Sequence, residues 1–291
     1  MQRRDLVDYA TLSVVWGVSF VVLLRVVQAF GWVGAVTFRA LIAGAVLIAI
    51  AGATKRRLDF SVGWLPFAVV GASTVAGQLV GMSFATPRIG TAMAAIFVGT
   101  IPLFTMVIGR AWGLERITAQ GLLGLALGFG GIVLLVGFPA VPVTGAFVLG
   151  CLASLLGSVS AALGANYARS RLQAVGSWEV ATGSFLFGGL LTLPLLIVVP
   201  VPTVPRAVDY GYLLLLGAVM SALAYVLFFR LVADLGATKA ISVEFVVTAI
   251  AVLLGSLVLD ERLSAIQLVG AVVIVGGCAL VLGLAPRNRA A

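Results

Sequence analysis

A carboxylate set inside an apolar run is the most chemically pointed group in this chain. Glu244 lies about five residues beyond Lys239 and, at 1.5 Å rise per residue, roughly a third of the way into an apolar layer. Helical spacing gives Glu244, Thr248, Ala251 and Gly255 one small, polar face. A carboxylate there attracts an ammonium group or accepts a proton, unless it simply pairs with Lys239 or Arg230; spacing leaves both readings open. Gln78 shares a face with Thr74, Gly81 and Met82, where its amide bonds a polar cargo or ties two helices together. Ser154 and Ser158 stand one turn apart, and such hydroxyls often bond their own helix. Trp16 and Phe20, also one turn apart, join Phe97 and Tyr225 as walls of an apolar chamber or as ordinary packing. The candidate substrate-contacting set is therefore Trp16, Phe20, Gln78, Met82, Phe97, Ser158, Tyr225, Glu244 and Thr248. Pro102 removes a helical hydrogen bond and is expected to kink its helix near the midplane, which makes it the candidate hinge.

Other chemistries lack their residues. Histidine is absent, and Cys151 and Cys278 both fall in apolar runs where they read as small packing groups. No nucleophile triad, metal-ligand cluster or phosphate-cradling glycine loop occurs in the sequence. An enzyme, a cofactor, a resident metal and ATP as an energy source are accordingly not expected.

The elements that must hold these side chains are apolar helices. Of 291 residues, 62% are hydrophobic and 10% charged, with a mean hydropathy of +1.21, whereas a soluble domain carries about 25% charge. Runs of roughly 20 apolar residues, each long enough for a ~30 Å hydrocarbon core, follow one another almost without pause. They lack the alternation of barrel strands, so the expected fold is an all-α polytopic membrane protein. Ten spans are predicted: 9–28, 32–53, 63–84, 90–112, 118–137, 144–168, 177–199, 209–232, 238–259 and 263–284. The first follows Arg3 and Arg4 and reads as an uncleaved span rather than a secretory leader. Over that alternation, thirteen of the 18 Lys and Arg residues fall on the N-terminal side. The other five are Arg25, Arg39, Arg88, Arg206 and Arg262. The positive-inside rule then puts both termini in the cytoplasm, so the +8 net charge implies lipid headgroups rather than nucleic acid as partners.

Residues 90–137 recur as 236–283, shifted by 146 positions without a gap. Gly90 returns as Gly236, Glu115-Arg116 as Glu261-Arg262, Gly124 as Gly270, Gly130-Gly131 as Gly276-Gly277. Hydrophobicity alone does not align glycines and an acid–base pair. Five spans per half is an odd number, so the halves, 1–137 and 138–291, are expected to enter the membrane in opposite orientations. Arg110 on one side becomes Ser256 on the other, in keeping with that inversion. Inverted halves are a recurring design of carriers that expose one central site alternately to each side.

Several motifs together resemble a known family. Trp16-Gly17-x-Ser19-Phe20, Phe38-Arg39, Pro102 and the Glu115-Arg116…Gly124…Gly130-Gly131 block look like the EamA domain. The whole chain resembles a ten-helix member of the drug/metabolite transporter superfamily, most like bacterial exporters of amino acids, including aromatic ones. The resemblance implies an inner-membrane secondary transporter with a central cavity between the halves, lined by spans 1, 3, 4, 6, 8 and 9. Its cargo is expected to be amino acids of broad range, with drugs, nucleosides or other metabolites as the alternative. A passive channel or structural subunit is the alternative of another class. A monomer is an admissible unit. The second copy departs from the domain pattern in having Thr248 where the first has Pro102, so unequal contributions from the halves are expected.

Overall fold

The computed structural model describes residues 2–136, 144–202, 204–250 and 265–282, which are all helix, turn and loop without strands. Residues 251, 255, 256, 261 and 262, and the ends of both repeats at 137 and 283, lie outside the described residues. Among the described residues, five helices are long and apolar enough to cross a membrane: α1 (Arg3–Ala53), α2 (Leu65–Ile89), α5 (Gly145–Arg171), α6 (Ser177–Val198) and α7 (Ala207–Leu235). Shorter apolar helices are α3 (Ile96–Ala111), α4 (Ala119–Val136) and α9 (Ala265–Leu282). Between α7 and α9 the chain forms α8, beginning as Ala237–Ile241 and resuming through 243–250.

At 51 residues α1 is far longer than one crossing, and it is broken where the sequence predicts a boundary. Gly31 has φ 72° and ψ 169°, a backbone state closed to residues with a side chain, and there the chain changes direction. Phe30 packs edge-on against Phe38 across this break, with ring centroids 6.0 Å apart. The arms 3–30 and 32–53 therefore both reach the centre of the bundle. Gly236, with φ 91°, makes the comparable turn between α7 and α8. There the Glu115 carboxylate, from the loop after α3, accepts a hydrogen bond from Thr238 N at 3.1 Å and secures the start of α8.

The repeat appears in the packing of α4 on α9, whose first and last residues are 146 positions apart. Gly124 and Gly128 meet Gly277, while Gly131 meets Gly270 and Ile274, so the two helices run antiparallel. Exchanging the copies turns the Gly124–Gly277 contact into Gly270–Gly131, which is also present. Small residues on both partners let the backbones touch, which is how helices associate where lipid supplies no hydrophobic drive. A second correspondence lies in α2 and α7. Each widens to a π-helical stretch, at Gly71–Gly77 and Ala218–Leu223, in the same register to within one residue.

Candidate functional site

The two π-helical stretches precede Gln78 and Tyr225, and both of those side chains reach the same central cavity. Widened turns shift the side chains that follow, and they concentrate at functional sites. Around the cavity stand Trp16, Ser19, Phe20 and Leu23 of the first arm of α1, and Arg39 of the second. Gln78, Leu79 and Met82 of α2, Val98 of α3, Tyr225 of α7, and Glu244 and Val247 of α8 complete it. Both halves of the chain therefore contribute to one wall. The volume is about 40 Å³, enough for a water molecule or two and too small for a larger cargo without helix movement. A cleft of about 250 Å³ adjoins it, sharing Phe20 and Leu23 and continuing past Val27, Gln28, Ser83 and Thr86.

The aromatic side of the cavity is tightly ordered. Trp16 lies 5.1 Å from Tyr225 and 5.5 Å from Phe228 between ring centroids, and its indole N–H donates to the Met220 carbonyl at 3.2 Å. Tyr225 stands edge-on to Phe185 at 4.8 Å. These contacts fix the rings and leave faces available to the cavity.

The polar side holds no ion pair among the described residues. Glu244 is 5% exposed, and among the described residues no cation lies within ion-pair distance of it. The alternative partners are otherwise placed: Arg230 pairs with Asp8 at 3.0 Å, and Lys239 is exposed. Arg39, also 5% exposed, donates from Nε to Ser221 Oγ at 2.9 Å and has no carboxylate partner among the described residues. Ser221 is itself anchored by donating to the Leu216 carbonyl, five residues back, as the π-helical turn permits. Assigning Arg39 to the outer surface by alternation is therefore corrected: the structure turns it inward to the cavity. The signal was present in the Phe38-Arg39 motif, but alternation counts Arg39 only toward the charge of one side.

Six of the nine candidate residues, namely Trp16, Phe20, Gln78, Met82, Tyr225 and Glu244, meet at the cavity. Phe97, Ser158 and Thr248 do not line it. Phe97 packs against the buried cluster of Ala85 and Ile89, and its backbone carbonyl accepts from Ser158 Oγ at 2.8 Å, which joins α3 to α5. Thr248 Oγ1 donates back to the Glu244 carbonyl at 2.9 Å, the self-bonding habit of a helical hydroxyl. The expected mid-helix kink at Pro102 takes another form. Helix α3 is interrupted at Gly99–Thr100, and Pro102 lies in the first turn of the resumed helix, where its missing N–H costs no hydrogen bond.

Comparison with known proteins agrees with this architecture. The model of the EamA-like transporter family matches residues 9–137 and again 148–283. Protein PecM of Dickeya dadantii (strain 3937) is 30% identical over 299 residues, covering 99% of this chain and 95% of PecM. YedA of Escherichia coli (strain K12), named an uncharacterized inner membrane transporter, is 28% identical over 284 residues, covering 93% and 88% of the respective chains. A solved crystal structure shares the fold with a TM-score of 0.81 at 20% identity, covering 99% of this chain and all of the other. The chain belongs to the EamA-like transporter family and is a membrane transporter of small metabolites.

Proposed function

We propose that this EamA-family chain exports amino acids across the inner membrane as a secondary transporter, with a range that includes neutral and aromatic side chains. The observation that carries the reading is the cavity where a buried, ion-free Glu244 faces Trp16, Phe20 and Tyr225. The carboxylate suits a cargo ammonium group, and the aromatic faces suit varied side chains with weak discrimination. An apolar pocket separates neighbours by only ~1–3 kcal/mol per methylene.

Ten spans arranged as two inverted five-helix halves, 1–137 and 138–291 with both termini cytoplasmic, provide the movement. The antiparallel, exchange-symmetric crossing of α4 and α9 supports that arrangement, since equivalent helices of the two copies point in opposite directions. Rocking of the halves opens the central site to one side and then the other, with Pro102 beside the Gly99–Thr100 interruption as a hinge.

Purified protein in liposomes loaded with unlabelled phenylalanine or leucine is expected to take up labelled amino acid faster than empty liposomes do. Uptake without that trans-stimulation would identify a channel, and no amino acid flux would end the reading.

A further inference from the structure

We infer that Arg39 is the anchor for the cargo's carboxylate, so that the site accepts zwitterions and rejects amines lacking an acid group. This rests on the export reading above and adds the half of the cargo that Glu244 cannot recognise.

A guanidinium cannot shed its charge by deprotonation at any pH the protein meets. Buried at membrane depth, it demands either a counter-ion or several hydrogen bonds. Arg39 has one identified side-chain bond, from Nε to Ser221 Oγ, which orients the group and leaves the two Nη nitrogens uncommitted to any carboxylate among the described residues. Those nitrogens form the planar fork that matches a carboxylate with two parallel hydrogen bonds. Glu244 stands on the same cavity in the complementary condition, an acid without a cation among the described residues. No ion pair joins the two, although each would relieve the other if they touched. A bound α-amino acid supplies both counter-charges in one molecule and adds no net charge to the membrane interior. An amine satisfies Glu244 and leaves Arg39 as it is in the empty site, forgoing the bidentate, charge-assisted pairing that a carboxylate brings. Ser221 belongs to the π-helical stretch of α7, so the second half of the chain holds an arginine supplied by the first half.

The test is competition in counterflow between phenylalanine and its decarboxylated amine, phenethylamine, against labelled leucine. Wild type is expected to prefer phenylalanine by roughly a hundredfold, the order set by forgoing that bidentate pairing. Arg39→Gln should collapse that preference to a few-fold, while Arg39→Lys, keeping the charge without the fork, should restore part of it. A merely structural role would lower transport of both compounds and leave their ratio alone. Should the glutamine variant fail to insert, thermal unfolding of wild type in detergent decides the matter. Phenylalanine should then raise the midpoint at concentrations where phenethylamine does not. Equal use of the two compounds by wild type, or an unchanged ratio in a folded Arg39→Gln protein, overturns the anchor while leaving amino acid export standing. Absence of amino acid counterflow by wild type instead defeats the export reading, and the anchor falls with it.

Discussion

Glu244 is the residue whose removal should speak most directly about cargo. Its side chain is buried and lines the cavity with Tyr225, Gln78 and Val247, without a cation partner among the described residues, so Glu244→Gln keeps the shape and removes only the charge. Half-saturating amino acid concentration in counterflow is expected to rise about tenfold or more, in line with loss of a charge-assisted hydrogen bond worth ~1.5–3 kcal/mol. The maximal rate should change less, because the amide still fills the site; an unaltered concentration dependence would remove Glu244 from cargo binding. Sequence pointed to this acid because a lone carboxylate in an apolar run has few cheap explanations. It did not point to Arg39, which lies as deep in its predicted span, 32–53, as Glu244 does in 238–259, because alternation counts it only toward the charge of one side. Ser158 and Phe97 stand away from the central cavity for a related reason. Helical spacing shows which residues share a face, but which neighbour that face meets depends on how α3 lies against α5.

Among the elements, α4 and α9 give the sharpest contrast between glycines that look alike in sequence. A Cβ on Gly131 would sit 2.8 Å from the backbone nitrogen of Ile274 and 2.9 Å from the Gly270 carbonyl oxygen, whereas one on Gly130 meets nothing within 4 Å. Gly131→Ala must therefore push the helices apart and is expected to cost about 1–3 kcal/mol, as overpacking does. Gly130→Ala should be neutral, or stabilising by up to ~1 kcal/mol through helix propensity. Thermal unfolding of the two purified variants in detergent checks this, and equal midpoints would mean that the crossing is looser than described. The duplicated register was legible because glycines and Glu115-Arg116 recur at fixed spacing, and the structure gives that register a contact. The π-helical stretches were not legible. Segments rich in glycine, alanine and serine accept either α or π winding, and here the choice follows from packing, with Gly71 pressed against the backbone of Ser184 and Gly188.

For the molecule as a whole, the decisive feature is a set of polar contacts between its two halves, which the proposed export cycle would use as a closure. Arg4 pairs with Asp234 at 2.6 Å and Arg230 with Asp8 at 3.0 Å, fastening the start of α1 to the end of α7. Behind them Tyr9 and Ser242 share a hydrogen bond at 3.0 Å, and the Cys278 thiol lies 3.8 Å from the Ser242 carbonyl oxygen. On the other side the cleft past Val27 and Thr86 leads away from the centre. In the proposed alternating-access cycle the fastened side must release, so weakening it should shift the population towards that state. Cys278 is a native reporter, being 4% exposed and enclosed with the closure. In a Cys151→Ser background, Asp8→Asn removes one charge of a pair that is partly screened by solvent and worth about 1 kcal/mol. Opening then becomes roughly fivefold more populated, and maleimide labelling of Cys278 should accelerate by the same factor. Excess cargo that favours the present, fastened form should slow labelling again. A labelling rate identical to that of the parent protein would show that the ion pair decorates the closure without holding it.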